Sequence, residues 1–198
     1  MKRWLIVACL LAVVLAIMHA QRPIKQPDGV LVDAEPLQTE PARQEPVRHG
    51  DFDLIPLADY DIQARVLSRH DYWFDDGKAL APTDFAVGWK RMSDSAVINR
   101  LDIEQSDRWY RYSWRDTPPI PAGEIVVSSA NMHLIPGDRS VARALDRVRV
   151  GQVIRMRGQL VEARKLNSNW RRVSSLRRDD TGSGACELML VESLDIIR

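Results

Sequence analysis

Gly151-Gln152-Val153-Ile154-Arg155-Met156-Arg157-Gly158-Gln159-Leu160-Val161-Glu162 is the stretch whose alternation decides the fold class. Ile154, Met156, Gly158 and Leu160 face one way and Arg155, Arg157 and Gln159 the other, the period of a strand with one side on a core. Just upstream, Asp138 or Ser140 can cap a helix that puts Val141, Leu145 and Val148 on one face before Gly151 stops it, with Arg143 and Arg147 turned elsewhere. Downstream, Trp170 to Leu176 and Cys186 to Ile196 read as strands. The second is apolar on both faces at Leu188-Met189-Leu190-Val191, which predicts a central position.

Further upstream, Ile62, Ala64 and Val66 alternate with Gln63, Arg65 and Leu67 in a strand that continues toward Tyr72. Arg108 to Trp114 and Glu124 to Ser129 read as two more, separated by Pro118-Pro119 and Pro121. Ser93 can cap a short helix carrying Ala96, Val97 and Leu101. The expected fold is therefore mainly β with two short helices, of α+β type. A small Greek-key barrel of the oligonucleotide/oligosaccharide-binding (OB) type leads over another mixed β-barrel or α+β sheet.

The beginning of the chain reads differently. Lys2 and Arg3 precede an apolar run from Trp4 to Met18, which predicts a signal anchor or signal peptide over residues 1–20 and a periplasmic location for the rest of the chain. Cleavage after Ala20 would place Met18 at a position that wants a small residue. An uncleaved, single-pass inner-membrane anchor through residues 4–20 is thus preferred to secretion into the periplasm. Ile6-Val7-Ala8-Cys9 has the look of a lipoprotein box, but the apolar run continues past Cys9. Residues 21–50 hold prolines at 23, 27, 36, 41 and 46 among polar residues and predict a tether. Its apolar interruption, Val30-Leu31-Val32, follows the turn-forming pair Asp28-Gly29 and could pair with an edge strand of the globular region, residues 51–198. With Cys186 the only cysteine beyond the apolar run, an internal disulfide in that region is excluded.

A net charge of +1 hides a division. Residues 26–107 hold 17 acidic and 8 basic side chains, whereas residues 139–178 hold 2 acidic and 12 basic. The division permits two arrangements. In one, Arg155 and Arg157, with Trp170, Arg171 and Arg172, form a basic face for an anionic lipid, a glycan or an acidic envelope protein, nucleic acid being disfavoured by the compartment. In the other, the acidic half folds against the basic half and neutralises it.

Among candidate chemistry, Cys186 and His133 could pair as thiol and base, with Asn131 or Asp179 orienting the imidazole. The plainer expectation is a buried thiol and a locally bonded histidine. Asp180-Thr181-Gly182-Ser183 spells an aspartic-protease signature, but the chain lacks the second copy and Arg177-Arg178-Asp179 precedes it where an apolar strand should be. Asp75-Asp76-Gly77 and Asp179-Asp180 lack the alternating ligands of a calcium loop and suit turns. Histidines at 19, 49, 70 and 133 have no paired spacing, so no metal site is expected. There is neither a phosphate-cradling glycine loop nor a Gly-x-Ser-x-Gly elbow, and no cofactor is implied. Tryptophans 73, 89, 109, 114 and 170 suit either a carbohydrate or peptide platform or the core.

Gly88-Trp89 with Met92-Ser93-Asp94, Ser129 to Pro136, Gly158-Gln159-Leu160-Val161, and Trp170 through Cys186-Glu187 resemble a group of uncharacterised proteobacterial exported or membrane-anchored proteins, over most of residues 28 to 197. The resemblance implies no activity. The expectation is a non-enzymatic envelope binding protein. The alternatives are a cysteine-dependent hydrolase or transferase using Cys186 and His133, and an OB-like binder of anionic polymers.

Overall fold

The computed structural model describes residues 22–74 and 77–198. Ten strands run in the order β1 (Leu37–Thr39), β2 (Val47–His49), β3 (Phe52–Asp71), β4 (Thr83–Gly88), β5 (Asp102–Ser106), β6 (Trp109–Ser113), β7 (Ser129–Pro136), β8 (Val153–Lys165), β9 (Arg171–Val173) and β10 (Glu187–Ile196). The helices are α1 (Ser95–Ile98), preceded by a 3-10 turn over Lys90–Ser93, α2 (Ala122–Val127) and α3 (Arg139–Arg147). The described residues are mainly β with three short helices and one large sheet, an α+β arrangement.

Strand β3, 20 residues long, organises the sheet. From Phe52 to Arg65 it pairs antiparallel with β8, and from Arg65 to Asp71 with β4. β4 then pairs with β7, β7 with β10 in parallel, and β10 with β8. The pairing path that leaves β3 thus returns to it. β1 and β2 add to β3 and β9 to β8, while β5 and β6 form a separate two-stranded hairpin.

Because side chains alternate, one face of each of the five mutually paired strands enters a common core: Tyr60, Ile62, Phe85, Val87, Met132, Leu134, Met156, Leu160, Met189 and Val191 pack together. The Ile154, Met156, Leu160 face is buried as its period predicts, and β10 is central between β7 and β8. Helix α3 is capped by Asp138, whose carboxylate accepts from Ser140 N and Val141 N, and it lays Val141 and Leu145 on this core.

Several local expectations are corrected. Glu124 to Ser129 is not a strand, since Ala122–Val127 is helical. The β-branched run Ile125-Val126-Val127 favours a strand, but only Ile125 is fully buried, against Met92, Val97 and Ile120, and one anchor per turn is a helical pattern. Asp94, not Ser93, caps α1 through Ala96 N. Ser93 Oγ is instead occupied by the incoming chain, accepting from Leu31 N and Val32 N. Val30-Leu31-Val32 therefore docks on a serine hydroxyl rather than on a strand edge, and Val32 enters the core. The stretch read from composition as a tether lies along the domain from Ile24, whose N–H bonds Val150 O, to His49 in β2.

The transmembrane signal anchor and single-pass inner-membrane location are also corrected. Among the described residues no helix is long and apolar enough to cross a membrane. The longest, α3, has 9 residues, about 14 Å at 1.5 Å each, against a hydrocarbon layer of about 30 Å. Residues 4–20, on which the expectation rested, lie outside the described residues.

Gly158 shows how tightly β8 meets β10. A Cβ there would stand 1.9 Å from Leu190 O and 3.0 Å from Glu192 N, both backbone atoms. Gly158→Ala is expected to destabilise the fold by about 2–3 kcal/mol, read from the midpoint of a urea unfolding curve. An unchanged midpoint would mean that the two strands do not approach this closely.

Candidate functional site

The faces of β4 and β7 turned away from the main core carry polar groups in an otherwise apolar setting. Asp84 lies between Thr83 and Phe85, while Asn131 and His133 alternate with Met132 and Leu134. The parallel register of β10 sets Leu188 opposite His133 and Glu187 opposite Met132, which brings Cys186 to the same side as Asn131. Across this face folds the β5–β6 hairpin. Its two turn residues, Asp107 and Arg108, both have positive φ, 53° and 67°, as a tight two-residue hairpin requires.

That turn delivers Arg108 to Asp84. Arg108 Nη1 donates to Asp84 Oδ1 at 2.9 Å and to Ala81 O at 2.7 Å, and its guanidinium lies 3.5 Å from the Tyr72 ring centre. Tyr72 Oη donates to Asp84 Oδ2 at 2.9 Å, and His133 Nδ1 stands 2.8 Å from the same oxygen. Asp84 is fully buried, so this carboxylate depends on its partners for the solvation it has lost. A second set of bonds staples the hairpin down. Asn131 Nδ2 donates to Arg108 O at 3.2 Å and to Cys186 Sγ at 3.6 Å, and Gln105 Nε2 donates to Asn131 Oδ1 at 2.7 Å.

Beside this cluster opens a cleft of about 390 Å³ walled by Arg108, Trp109, His133, Arg172, Cys186 and the Gly182–Gly184 loop. A second cleft of about 190 Å³, lined by Tyr110 and Tyr112 among others, shares Trp109, Gly182 and Cys186 with the first. Trp109 stands between them. No family model matches this chain, and neither a curated protein nor a solved structure matches it. The chemistry of the site rests on its own residues.

The structure sorts the expected site residues. Cys186, His133 and Asn131 do come together, but His133 turns its Nδ1 to Asp84, and among the described residues no hydrogen bond joins it to Cys186. Asp179 is elsewhere, exposed and paired with Arg177 at 3.0 Å. Burial pushes the Cys186 thiol up, and the Asn131 hydrogen bond offsets this only in part. Such a thiol stays protonated near neutral pH, the opposite of what a nucleophile needs.

The arginines of the expected basic face share two carboxylates. Asp61, on the acidic half of the chain, takes Arg155 at 2.6 Å and Arg157 at 3.1 Å. Glu162 holds Arg164 at 2.7 Å and Arg171 at 3.9 Å, and Trp170 packs edge-on against Phe52. Arg172 differs: half-buried, it has no carboxylate within 4.0 Å among the described residues and faces the first cleft. Asp84, Tyr72 and Arg108 are members of the buried cluster that the sequence reading missed. A lone acid inside the apolar run Phe85-Ala86-Val87 and its approach was the available signal, because an acid in a buried strand needs a partner.

On the opposite face of β10, Glu187 is buried with Oε2 lacking a hydrogen-bond partner among the described residues. Burial pushes its carboxyl from an ordinary 4.5 up to about 8. Nearby, Arg178 lies over the Tyr60 and Trp89 rings and donates to Tyr60 Oη at 2.5 Å.

Alkylation of Cys186 by iodoacetamide near neutral pH is expected to be slow in the native protein and to reach the rate of a free thiol on unfolding; a fast native rate would restore the nucleophile reading. Glu187 gives a second expectation. A carboxyl whose folded value is raised stabilises fully below its unfolded value and loses that contribution as pH rises through the folded one. Wild-type stability should therefore fall between pH 4.5 and about 8 relative to Glu187→Gln, measured by urea unfolding at each pH. Parallel profiles for the two proteins would refute the buried neutral acid.

Proposed function

We propose that β3, β4, β7, β8 and β10 form an OB-type barrel, and that the chain is a binding module for a polymer of ringed, anionic units. The topology supports the first part. Numbered along the chain, the five strands pair in the order first, second, third, fifth, fourth and back to first, with a helix between the third and fourth.

In such barrels the ligand lies across the second and third strands, between the loop joining the first two strands and the loop joining the last two. Here those strands are β4 and β7. Between β3 and β4, Tyr72 and Ala81 stand on one side of the site, and the segment between β8 and β10 contributes Arg172 and Gly182–Gly184 to the other.

The observation that carries the reading is Trp109, 38% exposed, between two adjoining clefts, one of which also holds Arg172, with no carboxylate within 4.0 Å of its guanidinium among the described residues. A ring can stack on the indole while a neighbouring acidic group meets the guanidinium, a combination that suits polymers because every unit offers both. Asp107, exposed at the hairpin tip, shares the first cleft with Arg172, and Asp180 lines the second, so the anionic group of a bound unit is placed at the Arg172 end, away from both acids. The buried Asp84–Arg108 pair fixes the hairpin, so the platform is held in place before a ligand arrives.

Titration of the intrinsic tryptophan fluorescence with heparin, an oligothymidylate and a neutral glucan tests this. The expected result is saturable quenching by one anionic polymer, weakening as salt rises, and a loss of about tenfold in affinity in Trp109→Ala and in Arg172→Ala, about 1.4 kcal/mol each. Heparin and the oligonucleotide distinguish the two sources of ringed anion. Binding that survives both substitutions, or no binding by either polymer, would overturn the proposal.

A further inference from the structure

Arg65 is a buried cation with no carboxylate in contact among the described residues. It lies at the point where β3 changes partners, only 7% exposed, and its Nη1 donates to two neutral oxygens, Ser93 O at 3.1 Å and Ser95 Oγ at 2.8 Å. Among the described residues no carboxylate comes within 4.0 Å of it, and its Nε and Nη2 make no hydrogen bond. The acid that acts on it from farther away, Asp94, is engaged, its Oδ1 accepting from Gly29 N and Ala96 N at 2.8 Å each.

Beside it lies a buried group with no partner among the described residues. Ser95 Oγ, which accepts from Arg65, donates to Gln26 O at 2.9 Å, so the two residues belong to one cluster. The buried Nε2 of Gln26 has no acceptor among the described residues. Both residues line a cleft of about 430 Å³ between the segment over residues 23–26 and β3, which also carries Lys25, Ser95 and Asn99 and has no acidic residue in its walls. A water molecule can satisfy an amide hydrogen, but it brings no counter-charge to the Arg65 guanidinium.

We infer that this cleft is a binding site for a small oxyanion, a phosphate or a carboxylate, gripped by the Arg65 guanidinium and the Gln26 side-chain amide. The Nε and Nη2 edge of a guanidinium is a fork that meets two oxygens of such a group at once, and Gln26 supplies a third donor. Lys25 adds charge at the wall. The site lies apart from the Trp109 clefts and does not depend on the polymer-binding reading. It also ties the anion to architecture, since residues 23–26 form one wall and β3 the other.

The full chain, labelled with ¹⁵N, is titrated with sodium phosphate, sodium acetate and sodium chloride at matched ionic strength, following the Gln26 side-chain amide and the Arg65 Nε–H. The expected result is saturable movement of both signals with phosphate or acetate and none with chloride. The more effective of the two tells a tetrahedral from a planar oxyanion. Arg65→Met is expected to abolish the response and Gln26→Leu to weaken it at least fivefold. Gln26→Leu leaves the buried guanidinium intact and keeps the test valid if Arg65→Met fails to fold. Equal movement with chloride, no saturation, or an undiminished response in Gln26→Leu would overturn the inference.

Discussion

Strand β3 is the constraint on which the structure depends. Its first part belongs to β8 and its last to β4, and this division lets a path of pairings return to its start. The register of the longer pairing also settles the charges. Asp61 lies opposite Arg157 and Gln63 opposite Arg155, so Asp61 reaches both guanidinium groups, and Asp59 accepts from the Gln159 amide opposite it. A one-residue slip would turn the Tyr60, Ile62, Ala64 face out of the core and separate these pairs. Hydrophobic alternation and charge complementarity thus select the same register.

The site inherits this geometry. Once the sheet is set, Asp84 and His133 lie side by side on neighbouring strands at paired positions, and the hairpin turn at Asp107-Arg108 has one conformation that brings a guanidinium onto them. Desolvation makes the arrangement demanding, because a buried carboxylate is tolerated only with strong donors around it. Arg108 and Tyr72 supply them, and in doing so they fix the position of Trp109. The shape of the clefts beside Trp109 is set largely by groups buried behind it.

Periodicity made the strand face of Ile154 to Leu160, the central β10 and the Asp138-capped helix legible in the sequence, since each is a local pattern that burial enforces. The Ile125-Val126-Val127 segment was not, because its helix depends on one tertiary anchor and on Pro121, whose carbonyl accepts from Glu124 N. The proline spacing before residue 50 masked a strap, because Val32 and the Ser93 hydroxyl find each other across 61 residues. For the site, Cys186, His133 and Asn131 were legible by residue type, and the fold does bring them together. The roles were not, since the partner of His133 is Asp84 and no spacing in the sequence joins those two strands.

Parallel pairing of β7 with β10 has a temporal meaning. β10 comes after β8 in the chain yet fills the place between β7 and β8. While a ribosome is still extending the chain past β8, both of those strands carry an open edge, and open edges invite pairing with other chains. The same insertion delivers Cys186 and positions the loop that walls the clefts. Completion of the clefts and covering of the open edges therefore fall in one folding step.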